Sequence, residues 1–258
     1  MNYEKNMRVI AVINQKGGVG KTTLTVNLAY GLSLHGKRTL IVDLDPQSHS
    51  TVIYGNPHSD KTLNDILLSN SFKIEEAIYP AIINNAVVKN LFLLPSNIRL
   101  AVAAEQVSSR VHREKILDKA LQKVKDKFDI ILIDCPPTLG VLAVNGIYAA
   151  QEFIIPITYS RYALDGVADL FSIISEVKET KNFPYKIVRN AFDPRTTQTN
   201  KFIDTELETV KDKVAETVIR RSEPVNQAAM SGMPIFLFDP KGYGAEDFRI
   251  LTEEVLNG

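Results

Sequence analysis

One stretch constrains this chain more than any other. An apolar run, Arg8–Asn14, leads through Lys16-Gly17-Gly18-Val19-Gly20-Lys21-Thr22-Thr23 into a helical pattern over Lys21–His35. A strand that turns through glycines straight into a helix opens a βαβ unit, and that unit requires a parallel sheet. Gly17, Gly18 and Gly20 let the backbone curl until successive N–H groups point inward, where Cβ atoms would obstruct them. The positive end of the following helix adds to the same cradle, which is the physical form of a phosphate site. In it Lys21 bridges β- and γ-phosphates, the Thr22 hydroxyl is suited to Mg²⁺, and Thr23 reaches the α-phosphate. The plain alternative is a glycine turn before a helix. The general G-x-x-x-x-G-K-[ST] pattern wants glycine at position 15, but this chain has Gln15 and then a second lysine, Lys16.

The rest of the chain reads as the fold such a unit starts. Strands are expected at Arg38–Val42, Leu91–Leu94, Ile130–Ile133, Phe153–Ile157 and Ile187–Ala191, with a weaker one at Thr217–Ile219. Helices are expected at Ser109–Lys127, Leu139–Ala149, Tyr162–Thr180, Thr197–Val214 and Ala245–Leu256, and Gly36 stands where the first helix needs a left-handed stop. The stretch from Gly55 to Asn90 shows two short helical patterns, TLNDILL and KIEEAIY, and no clear strand. This is an α/β, doubly wound, mainly parallel sheet with helices on both faces. With 45% hydrophobic residues and no repeat or linker in 258 residues, it is expected to form one domain over 1–258.

Composition narrows the classes further. Thirty Lys+Arg against thirty Asp+Glu leave no net charge, so attraction to nucleic acid or membrane must come from a local patch. One cysteine, Cys135, excludes an internal disulfide and an all-cysteine cluster carried by one chain. Four histidines, His35, His49, His58 and His112, show no metal-ligand spacing, although His49 lies near the phosphate site's expected switch loop. No apolar run approaches a membrane span, and MNYEKNMRVI contains no signal-peptide core, so a cytoplasmic location is expected.

KGGVGKTT resembles the deviant Walker A motif of the ParA/MinD superfamily of dimerising ATPases, and the resemblance extends over almost the full chain. Leu40-Ile41-Val42-Asp43-Leu44-Asp45-Pro46-Gln47 resembles the family's Walker A′ segment, and Phe128–Pro137 its Walker B. Each ends a strand at the carboxyl edge, so Asp45 and Asp134 should converge with Lys21. The resemblance implies ATP and Mg²⁺ as cofactors. Asp134 would hold the metal directly or through water, Asp43 would orient the loop or metal waters, and Asp45 would position the attacking water. The plainer roles are a helix N-cap for Asp134 and a turn for Asp45-Pro46. Lys16, by resemblance, reaches across a two-fold interface to the partner's phosphates in an ATP-bound homodimer; otherwise it is a solvated lysine. Asn190 and Pro234 would line the base pocket, and no Asn-Lys-x-Asp guanine motif is present.

Within that superfamily the closer resemblance is to ParA/Soj partitioning ATPases. It is carried by Asp134–Gly140 with Ala143-Val144-Asn145, by Tyr162–Gly166, by Asn190–Thr197, and by Ile219-Arg220-Arg221-Ser222-Glu223. The implied function is ATP-dependent, nonspecific binding of double-stranded DNA through Arg189, Arg220 and Arg221. Hydrolysis would be stimulated by a ParB-like partner in plasmid or chromosome partitioning, with the ATP form on the nucleoid. Nine basic against six acidic residues lie between Lys181 and Arg221, and Arg110–Lys127 is a second basic stretch. Two departures stand out: Ser48-His49-Ser50-Thr51 replaces a glycine-containing sequence, and no helix-turn-helix domain is expected before the core. The last turns carry Glu253 and Glu254 rather than lysines, so no membrane partner is expected. The alternative is a MinD-like or cargo-positioning ATPase acting on a membrane or protein scaffold.

Overall fold

The computed structural model describes residues 7–55, 59–69, 71–160 and 165–258. Among them, eight strands run β1 Arg8–Val12, β2 Thr39–Asp43, β3 Tyr79–Ile83, β4 Ala86–Leu94, β5 Ile130–Asp134, β6 Glu152–Thr158, β7 Tyr185–Phe192 and β8 Val214–Arg220. They form one sheet in the order β3-β4-β2-β5-β1-β6-β7-β8, parallel throughout except where β3 meets β4. The doubly wound expectation holds. Every residue of β2 and β5 is buried, which is why TLIVD and IILID carry unbroken apolar runs rather than alternation.

Two cores result, one on each face of the sheet. On one face the helix Lys21–Leu34 packs Leu24, Leu28 and Leu32 with Ile10, Val12, Ile41 and Leu132 of the sheet. That helix is buried nearly all round because the helix Tyr243–Asn257 also lies against it. Gly31 permits the approach, since a Cβ there would collide with the Thr252 hydroxyl. Gly36 ends the helix at φ +76°, as expected, and Lys37 N–H returns to the Leu32 carbonyl at 3.2 Å. The opposite face holds Leu63, Leu100, Leu117, Leu142, Leu170 and Ile203, one from each of six helices.

Several expected elements change. TLNDILL is a helix, Leu63–Leu68, fixed by a capping box between Thr62 and Asp65. KIEEAIY is not: only Ile74–Ala77 makes a 3₁₀ turn, and β3 follows at once. That strand pairs with an extended β4 through Asn84-Asn85, whose φ values of 49° and 62° suit the tight hairpin turn that asparagine tolerates. In place of the single helix expected at Ser109–Lys127, the chain turns through 109–112, with His112 at φ 59°, and then forms the 3₁₀ turn Arg113–Lys115, the helix Ile116–Leu121 and the 3₁₀ turn Gln122–Lys127. The one expected at Thr197–Val214 stops at Leu207 and kinks at Val210, and Val214 opens β8 instead. Helices at His49–Tyr54, Arg99–Val107, Glu223–Met230 and Ile235–Phe238 were not anticipated.

Candidate nucleotide site

Strand register assembles the site. Val12 and Asp43 each sit opposite Asp134, so the ends of β1, β2 and β5 lie level, one strand spacing apart, at the carboxyl edge. The loop after β1 therefore rises directly beside two carboxylates. Gly18 and Gly20 take φ values of 73° and 90°, the left-handed region that the curled loop requires. A Cβ on Gly20 would strike the Asn190 amide, whose Nδ2 donates to the Val19 carbonyl at 2.7 Å. Asn14 fixes the loop's entry: its Nδ2 donates to Pro156 O at 2.8 Å and its Oδ1 accepts the Lys16 N–H at 2.9 Å.

The helix that begins at Lys21 has no side-chain N-cap and no acidic residue in its first turn. Its first N–H groups and positive dipole end are thus aimed into the loop. Lys21 Nζ donates to the Lys16 carbonyl at 3.1 Å, the geometry of an ammonium arched over the loop. Burial lowers the Lys21 pKa, and the facing carboxylates of Asp134 and Asp45 oppose that shift. Its positive charge is held in place by the acids around it.

Asp43 and Asp134 are both buried at the strand ends. Burial raises both carboxyl pKa values, and their mutual repulsion raises Asp134 further. Hydroxyls partly offset this. Thr51 gives Asp43 Oδ2 its N–H at 2.8 Å and its hydroxyl at 2.6 Å, and Ser50 donates to Asp134 Oδ2 at 2.7 Å. Asp134 Oδ1 is buried with no hydrogen-bond partner. A buried carboxylate with the Thr22 hydroxyl close by suits a hard cation that takes few protein ligands, as Mg²⁺ does. The helix N-cap role for Asp134 does not hold, since the next helix starts at Val141 behind Gly140.

The remaining expected residues are placed as follows. Asp45 is half-buried in the loop after β2, its Oδ1 accepting the Gln47 N–H at 2.9 Å. Lys16 is half-buried and directs its ammonium to the Ser160 hydroxyl at 2.7 Å. Pro234 caps the helix Ile235–Phe238, and Ile235 N–H donates to Asn27 of the loop's own helix at 2.7 Å, so Asn190 and Pro234 flank that helix's N-terminal half. Tyr162, Ala163, Leu164 and His58 lie outside the described residues, and no group of three or more His, Cys, Asp or Glu side chains gathers as a metal cluster among those described.

The basic residues of the second half are less free than the sequence implies. Arg220 makes a double contact with Asp247 at 2.6 and 3.0 Å and lies 4.9 Å from the Tyr243 ring centre. Arg189 binds Asp204 at 3.4 Å and the Ala215 carbonyl at 3.1 Å. Lys186, Arg195, Lys211 and Lys213 also have carboxylates within 4.0 Å. Of the nine basic residues, Lys181, Lys201 and Arg221 have no such partner among the described residues, and all three are exposed.

The AAA_31 family, described as an AAA domain, matches residues 7–187. The sporulation initiation inhibitor protein Soj of Bacillus subtilis is 38% identical over 96% of this chain and 98% of its own length. The chromosome-partitioning ATPase Soj of Treponema pallidum is 34% identical over 96% and 97%. This chain belongs to the ParA/MinD family of ATPases. A solved structure of cobyrinic acid a,c-diamide synthase from Mycobacterium smegmatis, with bound ATP analogue and magnesium, is 31% identical. It superposes with a TM-score of 0.80 over 97% of this chain and 95% of that one. No helix of the described residues is long and apolar enough to cross a membrane.

Sequence reasoning missed Ser50, Thr51, Ser96, Ser160 and Asn14. Ser50 and Thr51 belong to the stretch marked as a departure, and Ser96 follows β4 at the same edge as the acids. That edge position was the available signal.

Proposed function

We propose that this ATPase is a partitioning switch. It binds Mg²⁺ and ATP in the loop between β1 and the helix Lys21–Leu34, dimerises around the nucleotide, and in that form binds double-stranded DNA without sequence preference. A ParB-like partner stimulates hydrolysis and resets it. Thr22, Asp134 and Asp43 hold the metal and its waters, Lys21 and the loop N–H groups hold the phosphates, and Asp45 orients the attacking water. Mg²⁺ held by these residues would neutralise phosphate charge. Asn190 and Pro234 border the base.

The observation that carries this reading is Lys16. It is a second lysine at the lip of the loop, its ammonium on the Ser160 hydroxyl, while the place over the loop is taken by Lys21. An ammonium there serves a phosphate other than the chain's own, and the full-length likeness to Soj supports partitioning as the use of that switch. Arg221, exposed beside the end of β8, is the arginine among Arg189, Arg220 and Arg221 best placed to meet DNA. The test is size-exclusion chromatography with Mg²⁺ and ATP. The wild type should shift to twice its mass, and Lys16→Ala should bind ATP yet stay a monomer. A Lys16→Ala protein that dimerises and hydrolyses ATP normally would contradict the proposal.

A further inference from the structure

The loop that carries Asp45 is fastened from outside, by a residue of the neighbouring strand. β4 ends at Leu94, and two residues later Ser96 lies buried against the loop after β2, 3% exposed. Its hydroxyl donates to the Asp45 carbonyl at 2.9 Å. The Ser48 hydroxyl, which donates to the Pro46 carbonyl at 3.2 Å, lies 3.0 Å from the Ser96 hydroxyl. Ser96 N–H donates to Thr51 Oγ1 at 3.0 Å, and the Thr51 proton goes on to Asp43 Oδ2 at 2.6 Å. One serine thus joins the backbone of Asp45, the cap of the helix His49–Tyr54 and, through Thr51, the carboxylate of Asp43.

The loop needs this fastening. Ser48 stands at φ 58°, ψ 31°, a left-handed conformation that a residue with a Cβ adopts at a cost and keeps where its surroundings over-determine it. Asp45 is fixed on both sides: its N–H donates to Asp43 Oδ1 at 3.3 Å, and its carbonyl accepts from the Ser48 N–H at 2.9 Å as well as from Ser96. Those bonds set the direction in which the Asp45 carboxylate leaves the backbone.

We propose that Ser96 is a positioning residue for ATP hydrolysis, acting through the Asp45 carbonyl to hold the Asp45 carboxylate at the angle the attacking water requires. The inference rests on the reading of Asp45 as the residue that orients this water. The bonds of Ser96 go to Asp45, Ser48 and Thr51 and none to the phosphate loop, so its removal should leave that loop intact. Its effect therefore falls on the chemical step and not on nucleotide affinity.

Single-turnover hydrolysis of ATP, affinity for a fluorescent ADP analogue and thermal midpoint are measured for the wild type, Asp45→Ala, Ser96→Ala and Ser48→Gly. A small misplacement of a reacting group costs rate steeply, so Ser96→Ala should slow hydrolysis about tenfold while analogue affinity stays within twofold. Ser48→Gly keeps the bond from Ser96 to Asp45 and suits φ 58°, so it should stay within about twofold of the wild type. Wild-type hydrolysis by Ser96→Ala alongside a disabled Asp45→Ala would overturn the role of Ser96 alone. Normal hydrolysis by Asp45→Ala would overturn the reading beneath it. Parallel loss of rate, affinity and thermal midpoint in Ser96→Ala would make the serine merely structural, and equal losses in Ser96→Ala and Ser48→Gly would overturn the bond to Asp45 as the cause.

Discussion

Lys21 shows how much one side chain can be asked to do when its surroundings are arranged for it. Burial opposes its charge, the carboxylates of Asp134 and Asp45 offset part of that, and the ammonium already arches to the Lys16 carbonyl. Lys21→Ala removes a charge-assisted contact from a desolvated site, so calorimetric affinity for Mg²⁺ and ADP should fall by about a hundredfold or more. Tight binding by that variant would refute the phosphate assignment. Cys135, one residue beyond Asp134, carries the opposite expectation. It is fully buried, and burial, then the nearby Asp134 carboxylate, push its thiol pKa well up. A raised pKa leaves almost no thiolate at pH 8, so a thiol reagent should leave the native protein unmodified and react once denaturant unfolds it. Rapid native labelling would show that the β5 edge is open. Residues of this kind were legible in the sequence because their chemistry is local: glycines, a lysine and a threonine in order. Ser50 and Ser96 were not, because a serine has no distinctive spacing and becomes informative once strand register shows what it faces.

At the scale of elements, legibility followed covering. Strands buried on both faces announce themselves by composition alone, and β2 and β5 were read within a residue or two. The edge hairpin was obscured because β3 is buried only at Ala81 and Ile83, the first five residues of β4 are not buried at all, and an Asn-Asn turn stands in place of the commoner Asn-Gly. The helix Tyr243–Asn257 was legible, but its tie to β8 was not. Arg220, expected among the DNA contacts, is engaged within the fold instead. Asp247 is 5% exposed in its side chain and relies on the Arg220 guanidinium and the Arg220 N–H at 2.9 Å. Arg220→Gln leaves that buried carboxylate without its cation and should cost about 1–3 kcal/mol in denaturant unfolding. Unchanged stability would show that the pair contributes nothing and return Arg220 to the candidate DNA surface.

The whole molecule poses the question of how a chain with no net charge would hold a polyanion. Six of the nine basic residues expected to form the DNA patch are paired with carboxylates of their own chain, so among the described residues that patch offers three unpaired cations per subunit. Pairing two subunits doubles what is offered and couples it to the nucleotide, which is how weak phosphate contacts would become an ATP-dependent affinity. The direct test is retention on nonspecific double-stranded DNA across a salt series, with Mg²⁺ and a nonhydrolysable ATP analogue, with Mg²⁺ and ADP, and with Lys16→Ala and Arg221→Ala. The account predicts salt-sensitive binding with the ATP analogue alone, lost in Lys16→Ala and weakened, with a shallower salt slope, in Arg221→Ala. Equal binding in the ADP form, or none in any form, would contradict it.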